Sequence, residues 1–280
     1  MIRIITDSAA DFSPREMEQL GIACIPITVM FGDEEYQENI TLTKDKFYEL
    51  MLSSGQLPKT AQPSPQLLLD LFEEAKAAGD EAIYVTLSSA LSGTYQSAVM
   101  TKNLADSDAC HVVDSLNATG GQRMILEHAA ALRDAGKSAD EIIAGIEAVR
   151  SRITLYACID TLEFLYKGGR ISHTTYKLGT LANIKPIITV ELDGSIGIPA
   201  KAMGMRKGMD YLCKQAEQRP ADPAFPFYVM YTNNRSVAET LAARLESAGI
   251  TVSDDRIIQV GAAIGSHIGP DACGIVYVAK

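Results

Sequence analysis

The sequence predicts an α/β protein with two domains, a parallel-sheet domain over residues 1–155 and a mixed-sheet domain over residues 156–280. A chain of 280 residues is long for one domain and short for three. Up to about residue 155, short apolar runs alternate with amphipathic segments, which is typical of a parallel sheet with crossover helices. Beyond that point a hairpin pattern appears among the helices, and this change favours a mixed sheet.

Short apolar runs predict the strands of the first half. They are IRIIT (2–6), AIYVTL (82–87) and HVVDS (111–115). The run IACIPITVMF (22–31) also predicts a strand, and its proline indicates an edge or a bend.

Polar residues mark where the first-half elements begin and end. Ser13 with Glu16 and Ser138 with Glu141 have the spacing of capping boxes, in which a side chain and a backbone amide pair reciprocally. The segment PKTAQPSP (58–65) predicts a loop, because three prolines in eight residues interrupt a strand ladder.

The second half predicts a hairpin and two helices. Asp193 and Gly194 form a two-residue turn signal between apolar runs. A helix follows over about 205–218, and Ser236 with Glu239 predicts the cap of the next helix.

Composition and charge exclude several functional classes. Hydrophobic residues make up 47% and charged residues 21%, so the chain can build a full core. The net charge of −10 argues against nonspecific nucleic-acid binding and against binding to anionic lipid, since both require a positive field. No apolar run reaches transmembrane length and no secretory leader is evident, so we expect a cytoplasmic protein without stable membrane insertion.

Cysteine and histidine spacing gives no sign of a metal or redox site. The five cysteines are far apart and form no CxxC pair, which favours buried, reduced thiols. The four histidines have no partner at metal-ligand spacing. We therefore expect neither a metal nor a cofactor.

Polar loops follow three of the predicted strands. They are TDSAAD (6–11), SSALSGT (88–94) and DSLNATGG (114–121), and each leads into a helix. In an open parallel sheet, ligands bind beyond the carboxyl ends of the strands, where helix amino termini offer free N–H groups. These loops therefore predict an anion site without a fixed cation, although serine and threonine at helix starts are more often simple caps.

Known catalytic and phosphate-binding motifs are absent. The chain has no GxxxxGK[ST] loop, no GxGxxG after the first strand and no GxSxG nucleophile elbow. A serine hydrolase built from Ser92, His267 and Asp114 remains open on residue types alone.

Two further stretches hold candidate binding residues. In GAAIGSHIGPDACG (261–274), His267 lies between glycines, where little side-chain bulk can shield it. In EFLYKGGRIS (163–172), Lys167 and Arg170 flank a Gly-Gly pair. These two cations either compensate the dipole of a helix end or contact an anionic substrate or partner.

Taken together, these stretches resemble the DegV family of bacterial fatty-acid-binding proteins over nearly the whole chain. The motifs that carry the resemblance are ITDSAAD (5–11), PITV (26–29), KTAQPSP (59–65), SSALSGTYQSA (88–98), VVDS (112–115), TLEFLYKGGRIS (161–172), KPI (185–187) and GSHIGPDACGI (265–275). Each is weak alone, and their order and spacing make the match specific.

The resemblance implies two α/β domains with a long-chain fatty acid buried between them. Hydroxyls and a histidine hold its carboxylate, and these correspond here to Thr60, Ser92 and His267, with Gly93 assisting through N–H groups. Some members present the acid to a separate fatty acid kinase, which forms an acyl phosphate. Arg170 is then a candidate for the kinase-facing or phosphate-facing surface.

Two positions depart from the family pattern. Many members have serine where Ala61 stands, and many have glycine where Asp271 stands. The first change removes a hydroxyl, and the second is expected to add negative charge near His267. The sequence thus predicts a non-enzymatic fatty-acid carrier; the alternatives are a serine-type acyl hydrolase and a module that binds a small phosphorylated ligand.

Overall fold

The computed structural model describes residues 1–177 and 183–280. The strands are β1 (Ile2–Asp7), β2 (Ile22–Ile25), β3 (Thr28–Phe31), β4 (Glu34–Gln37), β5 (Lys59–Ala61), β6 (Glu81–Thr86), β7 (Cys110–Asp114), β8 (Ile153–Ile159), β9 (Ile184–Val190), β10 (Ile196–Met203), β11 (Phe227–Tyr231), β12 (Ile257–Gln259) and β13 (Ala272–Val278). The helices are α1 (Pro14–Leu20), α2 (Lys44–Ser54), α3 (Pro65–Ala78), α4 (Thr94–Ala105), α5 (Thr119–Asp134), α6 (Ala139–Arg150), α7 (Glu163–Lys167), α8 (His173–Lys177), α9 (Gly204–Gln218), α10 (Arg235–Ser247) and α11 (Ala262–Ile268).

The first half contains a four-stranded parallel sheet, as predicted, in the order β2-β1-β6-β7. The chain leaves β1 toward β2 on one side, whereas it leaves β6 toward β7 on the other side. The loops after β1 and β6 therefore diverge, and a crevice forms between their carboxyl ends. Helices α3 and α4 cover one face of this sheet.

The second half contains a mixed sheet of six strands, in the order β10-β9-β8-β13-β11-β12. The predicted hairpin is confirmed, because β9 and β10 pair antiparallel on either side of the turn at Asp193 and Gly194. Helices α9 and α10 cover the outer face of this sheet.

A small antiparallel sheet, β4-β3-β5, corrects two predictions. The run 22–31 is divided at Pro26 into β2 and β3, which belong to different sheets. The predicted loop 58–65 contains β5, where Thr60 pairs with Val29 of β3. The prolines flank β5 rather than enter it, so its three residues keep the N–H groups that a ladder needs.

Helices α5 and α6 join the two large sheets into one packed structure. One hydrophobic cluster combines Ile4 and Ile83 of the parallel sheet with Leu155 and Val276 of the mixed sheet, through Ile125 of α5. The predicted domain boundary between residues 155 and 156 falls inside β8, which begins at Ile153. The division into two domains stays a prediction.

The predicted helix caps are confirmed except at one position. Ser13 and Ser138 form capping boxes with Glu16 and Glu141, as predicted. The predicted cap at Ser236 is wrong, because α10 begins one residue earlier at Arg235. Asn234 caps this helix, and its Oδ1 accepts the Ser236 N–H at 3.0 Å.

The cysteines are free thiols, as predicted, but not all of them are buried. Cys110, Cys158 and Cys273 are buried, whereas Cys24 and Cys213 are partly exposed.

Candidate functional site

A cavity of about 290 Å³ lies between the inner face of the mixed sheet and the loops of the parallel sheet. Leu155 and Ala157 of β8 and Ile188 of β9 form part of its floor, and Leu87 and Ala118 face it from the first half. Alternate residues of a strand point to the same face, which is why one side of β8 supplies an apolar surface. The walls are thus mainly apolar.

One end of the cavity brings together Thr60 and His267, which are 207 residues apart in sequence. Thr60 lies on β5 and His267 on the last turn of α11, and Thr60 Oγ1 lies 3.0 Å from His267 Nε2. His267 Nδ1 is buried and has no hydrogen-bond partner among the described residues. The His267 ring packs against Gly168. If residue 168 had a Cβ atom, that atom would lie only 2.3 Å from His267 Nδ1.

The His267 ring is neutral near physiological pH. Burial, together with the nearby charge of Arg170, lowers the pKa of His267 to about 4. The expectation that glycines leave this ring unshielded is therefore wrong: Gly168 allows the ring to pack closely, and most of it is buried.

Ser92 and Gly93 line the same cavity just before α4. Ser92 Oγ accepts the Thr94 N–H at 3.3 Å and lies 2.8 Å from Thr94 Oγ1. A Cβ atom on Gly93 would lie 2.2 Å from Nε2 of Gln62, so the glycine gives the Gln62 side chain room to pack here. Gln62 also lines the cavity, and nothing in the sequence pattern distinguished it from other loop residues.

Arg170 lies at this end as well, so a fixed cation stands beside the predicted anion site. Its Nε donates to the Leu91 carbonyl at 3.0 Å, and its Nη1 donates to the Gly168 carbonyl. Partial burial lowers the pKa of Arg170. Lys167 instead pairs with Glu163 at 2.5 Å and does not line the cavity.

Only part of the predicted hydroxyl-rich anion site faces the cavity. Ser88 Oγ donates to the Gly194 carbonyl at 2.9 Å and thereby holds the β9–β10 turn. Asp7 accepts the Leu87 N–H at 2.7 Å, so its carboxylate joins two loops of the parallel sheet. Among the serines of 88–98, Ser92 is the one that lines the cavity.

The residues considered for a serine hydrolase, Ser92, His267 and Asp114, do not form a hydrogen-bonded catalytic triad. Asp114 Oδ1 accepts the N–H groups of Ser89 and Leu116 at 3.1 and 2.9 Å. His267 Nε2 pairs with Thr60, and its Nδ1 has no acid partner in the part of the chain that the structure describes. Asp114 therefore does not orient His267, and His267 is not hydrogen-bonded to Ser92.

Two buried carboxylates hold the helix that carries His267. Asp11 Oδ1 accepts the Gly261 N–H at 2.7 Å, and Glu38 Oε1 accepts the Ala263 N–H at 3.1 Å. Lys44 Nζ donates to the carbonyls of Asp11 and Gln259 at 2.8 and 2.7 Å. No sequence pattern indicated the contact between Glu38 and Ala263, because Glu38 belongs to a polar run that resembles an exposed surface segment.

Burial raises the pKa values of these carboxyl groups. The pKa of Glu38 rises to about 7 through burial and the neighbouring charge of Asp11. The pKa of Asp11 also rises, mainly through burial, although Lys44 opposes the shift. Glu38 therefore titrates near neutral pH.

Neither departure from the family pattern places a charge in the cavity. Ala61 lines it without a hydroxyl, and Asp271 is exposed and outside the lining. Over residues 1–177 and 183–280, no group of three or more His, Cys, Asp or Glu residues is arranged to hold a metal ion. In the same residues, no helix has the length and apolar character needed to cross a membrane.

Comparison with known proteins identifies the family. The family model described as "Uncharacterised protein, DegV family" matches residues 1–280. The chain belongs to the DegV family. A DegV domain-containing protein of Caldanaerobacter subterraneus subsp. tengcongensis is 32% identical over 280 residues, covering 100% of this chain and 99% of the relative. A DegV domain-containing protein of Clostridium perfringens is 32% identical, covering 98% and 96%.

Solved DegV structures share the whole fold. A fatty-acid-binding DegV family protein from Thermus thermophilus has a TM-score of 0.88 at 28% identity, covering 100% of this chain and 99% of its own. DegV of Bacillus subtilis, a fatty acid binding protein, has a TM-score of 0.87 at 29% identity, with the same coverage. The α/β fold, with its parallel first sheet and mixed second sheet, is thus a DegV fold, as the sequence predicted.

Proposed function

We propose that this DegV-family chain binds a long-chain fatty acid in the cavity and presents the carboxylate to a fatty acid kinase. The observation that carries the proposal is the polarity of the cavity: its walls are mainly apolar, and uncharged donors gather at one end, where Arg170 also lies. Two DegV structures at 28% and 29% identity are of fatty-acid-binding proteins, which supports the same ligand class here.

The apolar walls are expected to supply most of the affinity. Each methylene group removed from water contributes about 0.8 kcal/mol, so a long acyl chain gains far more than its head group. The head group must mainly avoid the cost of a buried carboxylate without partners. Uncharged donors meet that need.

The polar end can donate several hydrogen bonds to a carboxylate. When the neutral His267 donates from Nε2 to Thr60, the hydroxyl proton of Thr60 remains for a ligand oxygen. In the same way, when the Thr94 hydroxyl donates to Ser92, the Ser92 proton remains available. The start of α4 at Gly93 adds N–H groups and the positive end of the helix dipole.

The position of Arg170 at the polar end supports presentation of the carboxylate to a kinase. Arg170 is partly exposed there and has a charge that can face a transferred phosphoryl group. The proposal assigns phosphoryl transfer to the partner and no catalytic step to this chain. It also places the protein in the cytoplasm, where ATP is available to such a kinase.

Ser92→Ala tests the assignment, with Ser89→Ala as the matched control. Ser89 is in the same loop, but its side chain does not line the cavity. Loss of one hydrogen bond to a charged group should weaken palmitate binding roughly tenfold or more. In a coupled assay with a fatty acid kinase and ATP, acyl phosphate formation should fall more sharply than binding does. Equal binding and equal turnover in both variants would contradict the assignment of Ser92.

A further inference from the structure

A second hollow, the outer groove, adjoins the cavity at Val190. It encloses about 190 Å³ and is lined by Leu116, Asn117, Ile153, Leu192 and several residues at the end of α6. Val190 lines both the groove and the cavity.

The floor of the cavity continues into the outer groove. On β8, Leu155 lines the cavity, and Ile153, two residues earlier, lines the groove. Residues two apart on a strand point to the same face and are about 7 Å apart. Tyr156 pairs with Thr189, so Val190 of β9 lies beside Leu155. The Val190 side chain thus lies between the part of the floor that lines the cavity and the part that lines the groove.

The chain segment 116–119, the roof, also runs from the cavity to the outer groove. Ala118 and Thr119 line the cavity, whereas Leu116 and Asn117, directly before them, line the groove. A single segment of chain therefore covers both compartments. The Ser88 Oγ to Gly194 carbonyl bond of 2.9 Å holds the β9–β10 turn beside this segment.

Resting on the proposed fatty-acid function, we propose that the Val190 side chain closes the methyl end of the cavity and sets the length limit, and that a longer chain reaches the outer groove only when this side chain is smaller. The polar donors Thr60, Ser92 and His267 lie at the head-group end, so a bound chain directs its methyl end elsewhere in the cavity. The continuous floor and roof lead that end toward Val190.

An apolar chain end fits the groove better than an anion does. Arg150 lines it, but Glu147 lines it too and has the opposite charge. The guanidinium group of Arg150 is also engaged, because its Nη1 donates to the Asp114 carbonyl at 2.7 Å. The remaining contacts available to a ligand include the side chains of Leu116, Ile153, Val190 and Leu192.

Val190→Ala tests the length limit, with Val112→Ala as the control. Val112 is a partly buried strand valine that lines neither compartment. The measurement is the dissociation constant for a series of saturated fatty acids from myristate to behenate. In the wild type, affinity should rise about fourfold with each added methylene until the chain meets Val190, and then stop rising.

The chain length at which affinity stops rising, the break in the series, should move in opposite directions in the two Val190 variants. Val190→Ala should shift it to longer chains, and Val190→Leu should shift it to shorter chains. Adding Leu192→Glu to Val190→Ala should abolish the gain, because the carboxylate would meet the methyl end. Leu192 is 75% exposed, so the fold tolerates this charge. Val112→Ala should keep the wild-type profile.

The chain-length series distinguishes failure of the length limit from failure of the fatty-acid function. If the wild type and the Val190 variants bind fatty acids with one common break in the series, the length limit at Val190 is wrong and the fatty-acid function stands. If the wild type binds no member of the series, the proposed function itself fails, and the role of Val190 fails with it.

Discussion

At the scale of single residues, His267 shows how a glycine neighbour can determine the surroundings of a polar ring. Gly168 has an ordinary helical φ of −74°, so its backbone does not require glycine. The requirement comes from the contact, since a Cβ atom would lie 2.3 Å from His267 Nδ1 and 3.0 Å from the Phe164 carbonyl oxygen. Gly168 therefore fixes where the ring lies and how completely it is buried.

Gly168→Ala should displace the His267 ring. Overpacking of this kind costs about 1–3 kcal/mol of stability, and fatty-acid affinity should fall as Thr60 loses its partner. Gly169→Ala is the control: its φ of +76° strains any other residue, but a Cβ atom there meets nothing within 4 Å. Urea unfolding and palmitate binding, measured on both variants, should show that both lose stability and that only Gly168→Ala loses affinity.

The family pattern identifies individual positions, so Thr60, Ser92 and His267 could be predicted as candidates, and all three line the cavity. Their contacts could not be predicted from periodicity, since the Thr60–His267 pair joins residues 207 apart. Gln62 was missed for a related reason: its position depends on a contact with Gly93 that exists only in the folded chain.

At the scale of elements, α11 is the helix whose position matters most to the site. Its first residues are held by the buried carboxylates of Asp11 and Glu38, and its last turn carries His267. A Cβ atom at Gly261 would lie 2.2 Å from Glu38 Oε1, so only glycine permits this contact. The proposed head-group site therefore depends on residues that do not line it.

Glu38→Gln should change the pH dependence of stability. The pKa of Glu38 is raised to about 7 in the folded state, so the folded protein retains a proton that the unfolded chain releases above its ordinary pKa. Stability from this group is full below pH 4.5, the ordinary value, and decreases as the pH rises toward 7. The loss amounts to about 3 kcal/mol for a shift of this size.

Urea unfolding between these pH values measures the effect. The free energy of unfolding of the wild type should fall, relative to that of Glu38→Gln, as the pH rises. Glu35→Gln, an exposed change on β4 three residues before Glu38, is the control and should run parallel to the wild type. A Glu38→Gln curve that also runs parallel to the wild type would show that Glu38 does not titrate as proposed.

Most elements were predictable from local pattern, and the exceptions have local causes. The capping boxes at Ser13 and Ser138 could be predicted because the cap residue and its partner are only three residues apart. β5 was missed because its identity as a strand depends on pairing with β3, and the flanking prolines suggested a loop. Such short edge strands are determined by their partner more than by their own residues.

At the scale of the whole molecule, two sheets share α5 and α6 as a common layer, and the cavity lies beside that layer. The sequence indicated the change from a parallel to a mixed sheet near residue 155, because alternation gives way to a hairpin. It could not indicate the shared core, in which Ile4 and Val276 belong to one cluster. The volume and direction of the cavity likewise follow from packing between distant segments.

The central claim is that this cavity holds a long-chain fatty acid. The most direct measurement is to purify the protein from cells, denature it, extract it with organic solvent and analyse the extract by mass spectrometry. We expect a long-chain fatty acid in near-stoichiometric amount, with a chain length within the limit set by Val190. An empty extract, repeated after the protein has been offered palmitate and oleate and purified again, would contradict the claim and favour a phosphorylated ligand.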